Sequence, residues 1–247
     1  MVDSNIIALH EPLKSTGEHP QIATDIDVLQ DGKQILKGIN IAPSSSGITV
    51  ILGPNGAGKS MLLKVLAGLI KPTGGTITPA PNDIGYVPQT PTVLNRTLRH
   101  NLIHALKYAK IPRNARPGRL AELLVQFRLA DLSETQAQAL SGGERHKLAI
   151  ARAMARRPHI LLFDEPTANL DPAATAEIED LVIDLQAQGH IIIWVTHDIA
   201  QAKRIGDDVL FLQHGRLIDQ RPRAAFFSNP HPVAADYIAG RLPKVLE

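Results

Sequence analysis

Short apolar runs alternate with longer, more polar segments through most of the chain. Runs at residues 48–52, 159–163 and 191–195 are rich in branched side chains and have the length of buried strands. Each is followed by a segment predicted to be helical, after residue 60, over residues 172–188 and after residue 198. Strands that alternate with helices in this way predict an α/β fold with a mostly parallel sheet covered by helices.

The first of these predicted helices has a clear apolar face. Leu62, Val65, Leu66 and Leu69 recur at positions i, i+3, i+4 and i+7. Pro72 and the glycines that follow it are typical of a helix end. We therefore expect this helix to include Leu69 and to end near residue 71.

The segment before residue 48 is predicted to form an antiparallel β-subdomain. Asp31 and Gly32 separate two strand-like runs, residues 26–30 and 33–36, which is a strong hairpin signal. A separate short strand is expected over residues 38–42. Further short strands are expected over residues 76–78 and 83–87, and a closing hairpin turns at His214 and Gly215.

A helical subdomain is predicted at about residues 90–155. Leucines at positions 98, 102 and 106 share a helical face, and a second apolar pattern runs from residue 120 to residue 127. Pro112 and Pro117-Gly118 are expected to break the pattern between them. A further helix, which opens at residues 141–143, is expected to reach Arg157 and to be ended by Pro158.

The ends of the chain differ from its centre. Residues 1–21 are polar and show no lasting periodicity, so we expect a flexible N-terminal extension before a domain that spans residues 22–240. Residues 241–247 are expected to be a short C-terminal tail. Residues 226–240 allow two interpretations, a helix packed on the core or a surface for a partner.

Composition excludes several classes of protein. The chain has 247 residues, of which 44% are hydrophobic and 20% charged, and it has no cysteine, so disulfides and thiolate metal sites are excluded. No apolar run approaches the roughly 18 residues of a membrane helix. The net charge of +2 and the aromatic content of 4% give little support to nucleic-acid binding, so no nucleic-acid partner is expected. The expected location is the cytoplasm.

A glycine-rich loop between the first apolar run and its helix predicts a site for phosphate. Backbone N–H groups and the helix dipole at such a junction face an anion, and the glycines allow close approach. The lysine can reach the β- and γ-phosphates of a nucleotide, and the serine hydroxyl can bind Mg²⁺. A simple turn that caps a helix is the alternative, but both flanks match the phosphate loop. The loop consists of Gly53, Pro54, Asn55, Gly56, Ala57, Gly58, Lys59 and Ser60.

Polar residues at the ends of three other strands fit a hydrolytic site. Asp164 and Glu165 follow a buried strand, so one carboxylate can hold Mg²⁺ and the next can polarise a water molecule. His197 ends a different strand and can contact the γ-phosphate. Gln89 can bridge Mg²⁺ and water without adding charge. Each residue alone is more often structural, but their order behind a phosphate loop favours the hydrolytic interpretation.

A second helix begins at Ser141, Gly142 and Gly143 and offers another anion-binding N-terminus. Serine is a good N-cap, so a simple cap is one explanation. The other explanation is that this helix completes the nucleotide site of a second copy of the chain. That hypothesis predicts a head-to-tail homodimer with two ATP molecules between the subunits.

Together these residues resemble the ATP-binding subunits of ABC transporters. The resemblance covers about residues 25–220, and the motifs occur in the order that the family shows. The matching stretches are Gly53–Ser60 (Walker A), Gln89 (Q-loop), Leu140–Glu144 continuing to Ala153 (signature), Ile160–Asp164 (Walker B), Ala168–Asp171 (D-loop) and His197 (switch histidine).

The resemblance implies a fold, a reaction and a set of partners. The fold is a P-loop NTPase core with an N-terminal antiparallel β-subdomain and a helical subdomain. The reaction is Mg²⁺-dependent ATP hydrolysis, with Glu165 as the catalytic base and with Lys59, Gln89 and His197 assisting. Ser60, Gln89 and Asp164 are the implied metal ligands, and Asp171 acts in trans with the signature. The implied partners are a second copy in the ATP state, transmembrane permease subunits and, indirectly, a solute-binding protein, at the inner face of the cell membrane.

Two positions depart from the family pattern. Glu144 stands where glutamine is commoner, a variation with which we expect activity to survive. The family's adenine-stacking aromatic is expected near residues 28–30, but no Phe, Tyr or Trp precedes Tyr86. Adenine would then rest on aliphatic surface and lose about 1 kcal/mol of stacking. Weak base selectivity follows as a hypothesis.

The closing segment of the chain indicates a class of cargo. The closing segment, residues 207–240, resembles importers of oxyanions such as tungstate, molybdate and phosphate. Import of phosphate, an amino acid or a metal is the alternative within the family. A non-transport ABC ATPase that acts on nucleic acid and a plain P-loop kinase are the alternatives outside transport.

Overall fold

The computed structural model describes residues 21–44, 47–79 and 83–241. The predicted N-terminal extension, apart from Gln21, and the predicted tail beyond residue 241 lie outside the described residues. The described chain contains two β-sheets with helices packed against them, and the predicted α/β class is confirmed.

The central sheet has six strands in the order β5-β6-β7-β3-β8-β9. Its first five strands in that order are parallel, and β9 pairs antiparallel with β8. At least four of the five residues of each of β3, β6 and β7 are branched or aromatic, as buried parallel strands require. The strands are β3 (Ile48–Leu52), β5 (Ile84–Val87), β6 (Ile160–Asp164), β7 (Ile191–Val195), β8 (Asp208–Gln213) and β9 (Arg216–Pro222).

A smaller antiparallel sheet has the order β2-β1-β4, with β1 (Ala23–Gln30), β2 (Lys33–Ile41) and β4 (Gly74–Ile77). The predicted hairpin at Asp31-Gly32 joins β1 to β2, and both turn residues have positive φ, which Gly and Asp tolerate. The prediction of a separate strand over residues 38–42 is wrong. Gly38, at φ 55°, lies where the pairing shifts from Val28 with Leu36 to Ile26 with Ile39, so it marks a β-bulge inside one continuous strand.

The helices are α1 (Lys59–Leu66), α2 (Leu98–Tyr108), α3 (Arg116–Gln126), α4 (Gly142–Ala153), α5 (Pro172–Ala187), α6 (Ile199–Ile205), α7 (Arg223–Ser228) and α8 (Pro232–Ile238). Helices α2, α3 and α4 form the predicted helical subdomain. Pro117 does not interrupt a helix as expected. It lies in the first turn of α3, where a proline leaves no intrahelical hydrogen bond unmade.

Helix α1 is shorter than its apolar pattern predicts. Gly68 has φ 68°, its N–H donates to Val65 O at 3.0 Å, and the Leu69 N–H donates to Lys64 O at 2.9 Å. This arrangement is the Schellman turn that ends many helices. Leu69 therefore lies beyond the helix with 63% of its surface exposed, contrary to the prediction that it extends the buried face.

Two hydrophobic cores lie on opposite faces of the central sheet. One face packs against α1 and the small sheet, and includes Leu162 and Ile193. The other face carries Phe163 and Trp194 and packs against the helical subdomain and helices α5 to α8. The closing segment accordingly packs on the core through the buried Phe226 and Ala234, as the first of its two interpretations predicted. The carboxyl ends of the parallel strands remain free to carry a site.

Candidate functional site

The phosphate loop connects β3 to α1, and its glycines are required by close contacts. A Cβ atom at Gly53 would lie 2.0 Å from the carbonyl oxygen of Leu212 on the neighbouring strand β8. Gly58 is the N-cap of α1 at φ 103°, and a Cβ atom there would lie 2.8 Å from the Leu36 side chain. The loop is therefore pressed between the two sheets, and the N–H groups of α1 begin at its end.

Lys59 lies inside the loop rather than in solvent. Its ammonium donates to Gly53 O at 2.8 Å and to Pro54 O at 3.1 Å, and it lies 3.9 Å from Glu165 Oε1. Burial lowers the pKa of Lys59, and the charges of Glu165 and Asp164 oppose that shift. The charge is thus placed at the loop with few competing solvent contacts, as phosphate binding requires.

Ser60 and Asp164 meet across the junction of α1 and β6. The Ser60 hydroxyl donates to Asp164 Oδ1 at 2.8 Å, although the two residues are 104 positions apart. Tyr86 on β5 donates its hydroxyl to the other carboxylate oxygen at 3.1 Å. Burial, with the charge of Asp164 and this hydrogen bond adding to it, raises the pKa of Tyr86 and keeps the phenol protonated. A hydroxyl and a carboxylate side by side are hard oxygen ligands of the kind Mg²⁺ prefers.

Glu165 and His197 form the second half of the cluster. His197 Nδ1 lies 2.9 Å from Glu165 Oε2, while Oε1 of the same carboxylate faces Lys59. Glu165 has a positive φ of 46°, and its N–H donates to Val195 O at 3.1 Å. That backbone bond holds the carboxylate beside the strand end from which His197 extends. The His197 side chain is 56% exposed and so can reach a bound ligand.

Gln89 stands apart from this cluster. It is exposed in the loop after β5, and its carbonyl oxygen lies 3.3 Å from His146 Nε2 on α4. None of the hydrogen bonds found among residues 21–44, 47–79 and 83–241 joins the Gln89 side chain to Ser60 or Asp164. The geometry therefore links the Gln89 loop to the helical subdomain, and its predicted role as a metal ligand stays a prediction.

The start of α4 is a complete capping box. Ser141 Oγ accepts from the Glu144 N–H at 3.3 Å, and Glu144 Oε2 accepts from the Ser141 N–H at 2.7 Å. Glu144 thus serves the cap through a carboxylate oxygen, as a glutamine would through its amide oxygen. Gly142 and Gly143 pack closely against Leu170 and Ala174, so this helix start lies against the first turn of α5 and the segment before it.

Asp171 is likewise a helix cap within its own chain. Its Oδ1 accepts from the Ala174 N–H at 2.9 Å at the first turn of α5. The structure thus shows local roles for Ser141 and Asp171. Their predicted contribution to the site of a second copy stays a prediction.

Two tyrosines that contact the site were missed by sequence reasoning. Tyr86 alternates with the buried Val87 on β5, so strand periodicity could have indicated that its side chain faces the other way. Tyr237 on α8 donates its hydroxyl to the His197 carbonyl at 3.2 Å, and its ring packs 5.3 Å from that of Phe211. No local signal marks Tyr237, because α8 reaches His197 only through the tertiary fold.

Open space adjoins the charged cluster on both sides of His197. A cleft of about 490 Å³ is lined by Glu165, Thr167, His197 and Asp198 among others. A second cleft of about 360 Å³ lies between the phosphate loop, His197 and the Tyr237 end of α8. A ligand at the loop can therefore extend towards the carboxylate and the imidazole.

This arrangement can support phosphoryl transfer to water. A cation at the loop, a hydroxyl–carboxylate pair for a metal ion and a second carboxylate oriented by an imidazole are the elements that such chemistry needs. Among the residues that the structure describes, no helix has both the length and the apolar character to cross a membrane.

The chain is similar to a known protein family and to several characterised proteins. The profile of the family described as "ABC transporter" matches residues 36–168. The tungstate uptake system ATP-binding protein TupC of Peptoclostridium acidaminophilum is 34% identical, over 75% of this chain and 91% of that protein. A phosphate import ATP-binding protein, PstB 2 of Lactobacillus acidophilus, is 33% identical over 89% of this chain and 97% of its own.

Two further matches extend the comparison. The L-cystine transport system ATP-binding protein TcyN of Escherichia coli is 31% identical over 81% of this chain and 88% of that protein. The solved structure of cbiO1 from Clostridium perfringens, part of the ABC transporter complex cbiONQ, superposes with a TM-score of 0.77. It shares 28% identity and covers 92% of this chain and 97% of its own.

Proposed function

Because the chain belongs to the ABC transporter family, we propose that it is the ATP-hydrolysing subunit of an importer whose membrane-spanning subunits are separate chains. The observation that carries the proposal is the position of Glu165, which lies between the His197 imidazole and the Lys59 ammonium at the phosphate loop. A carboxylate in that position can take a proton from water next to a bound γ-phosphate.

The residues of the site have distinct proposed roles. The backbone of Gly53–Ser60 holds the phosphates, and Lys59 exchanges its loop carbonyls for phosphate oxygens. Glu165 accepts the proton of the attacking water. His197 orients Glu165 and contacts the γ-phosphate from its exposed edge. The Tyr237 hydrogen bond to the His197 carbonyl helps to keep that segment in place.

Mg²⁺ fits the hydroxyl–carboxylate pair of Ser60 and Asp164, whose oxygens already meet at 2.8 Å. Gln89 is the third proposed ligand, supplied from the loop that also contacts α4. When bound, Mg²⁺ neutralises charge on the phosphate oxygens. Tyr86 keeps the second oxygen of Asp164 engaged, which fixes the orientation of the carboxylate.

The complete site is proposed to need two copies of the chain. Ser141, Gly142, Gly143 and Asp171 lie on the helical subdomain and the segment before α5, and their contacts in this chain are local caps and packing. A phosphate bound at the loop of a second copy would meet the exposed N-terminus of α4. ATP would then close a head-to-tail dimer, and hydrolysis would reopen it.

The proposed partners follow from the relatives. TupC, PstB 2 and TcyN are named as ATP-binding proteins of uptake, import or transport systems, which supports membrane permease subunits as the direct partners. A solute-binding protein would act indirectly through them. The chain would then lie on the cytoplasmic face of the cell membrane.

Tungstate or a related oxyanion is the proposed cargo. The support is the resemblance of residues 207–240 to oxyanion importers together with the tungstate and phosphate relatives. The cystine relative, at 31% identity, favours an amino acid as the second candidate. Cells with and without this chain should be compared for uptake of labelled tungstate, molybdate, phosphate and cystine; loss of cystine uptake alone would overturn the oxyanion assignment.

Hydrolysis is tested with Glu165→Gln, which keeps the shape of the side chain and removes its basicity. We expect the variant to bind ATP, to release less than about a hundredth of the wild-type phosphate, and to form a stable dimer in saturating ATP. Glu134→Gln is the matched control, since Glu134 is 70% exposed and pairs with Arg99 on α2 rather than with a residue of the proposed site. A Glu165→Gln variant with wild-type turnover would contradict the proposed role.

A further inference from the structure

A buried glutamine joins three elements that lead to the functional site. Gln201 on α6 is 2% exposed, and its Oε1 accepts from the indole N–H of Trp194 at 3.1 Å. Its Nε2 donates to Thr167 Oγ1 at 2.9 Å and to Glu179 Oε1 at 2.8 Å. The side-chain amide therefore uses its acceptor and its donors within the protein.

The charge of Glu179 is neutralised within the same group. Glu179 on α5 is 5% exposed, and Arg204 on α6 donates to both of its oxygens, at 2.7 Å and 2.6 Å. The buried charge of Glu179 is compensated only while Arg204 and Gln201 both keep their hydrogen bonds to the carboxylate. We call Thr167, Glu179, Trp194, Gln201 and Arg204 the Gln201 network.

The partners of Gln201 lie next to the residues that perform the proposed chemistry. Thr167 is two positions after Glu165, and Trp194 is three positions before His197. The Trp194 ring also stacks on Phe163, two positions before Glu165, with 5.3 Å between centroids. The network thus connects the strand ends that carry Glu165 and His197 to the segment leading to Asp171.

We propose that Gln201 and Glu179 are positioning residues, which set the placement of Glu165 relative to His197 and couple it to the Thr167–Asp171 segment. The proposal rests on the proposed ATPase function. Because the Gln201 amide is shared among Trp194, Thr167 and Glu179, a movement of the Thr167 segment pulls on the amide that accepts from the indole N–H. Movement of that segment on nucleotide binding is therefore transmitted to β7 and to His197.

The chain contains its own reporter of this coupling. Trp194 is the only tryptophan, it is fully buried, and its N–H bonds directly to Gln201. Its emission therefore reports the state of the network without a label. We expect ATP to change the Trp194 emission of the full-length wild-type protein, and of Glu165→Gln, in which hydrolysis is slow.

Thr167→Val is the primary test, since it keeps the shape of the side chain and removes only the hydroxyl that Gln201 contacts. We expect kcat to fall about tenfold or more, because small displacements of catalytic groups are costly, with KM for ATP changed less than about twofold. The emission without nucleotide should stay as in wild type, and the ATP-induced change should disappear. A variant with wild-type kcat and a normal ATP-induced change would overturn the proposal.

Charge exchange provides an independent second test. Gln201→Glu places a second carboxylate beside Glu179 and should lower both stability and kcat. Adding Glu179→Gln restores a pair of one neutral and one anionic side chain and should recover at least half of the lost kcat. If Gln201→Glu only damaged the packing around residue 201, the second substitution would not recover kcat. Gln126→Leu is the matched control, because the Gln126 side-chain amide donates one exposed hydrogen bond, to Gln188, outside the network.

These readouts separate the two proposals. If the wild-type protein hydrolyses no ATP, the proposed function fails, whereas the emission change on ATP binding still tests the network. If hydrolysis is normal but neither Thr167→Val nor the charge exchange has the expected effect, the network is structural only.

Discussion

At the scale of single residues, Lys59 shows a conflict between function and stability. Its side chain is 5% exposed, and burial is the largest cause of its lowered pKa. Burial therefore makes the charged ammonium less stable than it is in water, and the loop carbonyls and Glu165 compensate for part of that cost. The buried Lys59 charge therefore contributes to phosphate binding rather than to the stability of the ligand-free protein.

We accordingly predict that Lys59→Met does not destabilise the ligand-free protein. Its free energy of unfolding should equal or exceed that of wild type by up to about 1 kcal/mol, because a buried charge is removed. The stabilisation that ATP adds to the wild type should disappear. Urea unfolding with and without Mg-ATP measures both effects. Lys64→Met, on the exposed face of α1, should keep the ATP effect; a Lys59→Met variant that unfolds much more easily without ligand would refute the argument.

The adenine side of the site is a second feature at this scale. Val28 is buried and Leu29 is 56% exposed at the end of β1, so the surface expected to meet adenine is aliphatic. We predict that ATP and GTP bind with affinities within about threefold of each other, because phosphate contacts dominate. Leu29→Tyr or Gln30→Tyr should tighten ATP binding by about fivefold through stacking. Calorimetric titration of both nucleotides decides, and a strong ATP preference in the wild type would contradict the hypothesis.

At the scale of elements, the start of α4 combines a helix cap with a proposed contact in trans. A cap alone is worth about 1 kcal/mol, whether it is Ser141 on α4 or Thr97 on α2, whose side chain accepts from the His100 N–H. The two N-caps belong to the same helical subdomain. They therefore form a matched pair for separating the local role from the proposed one.

We predict that Ser141→Ala and Thr97→Ala cost similar stability but differ in activity. Both should lower the free energy of unfolding by about 1 kcal/mol. Only Ser141→Ala should abolish most ATP turnover and the ATP-dependent dimer, since only Ser141 would meet phosphate on a second copy. Denaturant unfolding, phosphate release and size-exclusion chromatography provide the three measurements. Equal ATP turnover in the two variants would mean that Ser141 is only a helix cap and would contradict its proposed contact with the second copy.

At the scale of the whole molecule, the phosphate loop and the signature helix belong to one chain but are proposed to serve different sites. We predict that an equimolar mixture of Lys59→Met and Ser141→Ala chains hydrolyses ATP faster than the sum of the two alone. Mixed dimers contain one site in which Lys59 and Ser141 are both intact. A mixture of Lys59→Met with Glu165→Gln is the control, because every site there lacks either the lysine or the base. Steady-state phosphate release distinguishes the cases, and no gain in the first mixture would contradict the composite site.

The local parts of this molecule can be predicted from the residue types alone. The phosphate loop, the hairpin at Asp31-Gly32 and the serine N-cap at Ser141 each depend on backbone geometry within a few neighbouring residues, so the residue types indicate them. The apolar runs of β3, β6 and β7 were predicted for the same reason, since a buried strand needs a continuous set of branched side chains. Periodicity failed at Leu69, where one glycine ended the helix before the apolar pattern did.

Which of these parts contact one another depends on the tertiary fold. Sheet order brings Ser60 to Asp164 across 104 positions and Tyr86 to the same carboxylate across 78. Packing of α8 brings Tyr237 to His197, and a buried amide joins α6 to Thr167, Glu179 and Trp194. Such contacts follow from strand order and from which helix covers which face, and these depend on the packing free energy of the whole chain rather than on any local pattern.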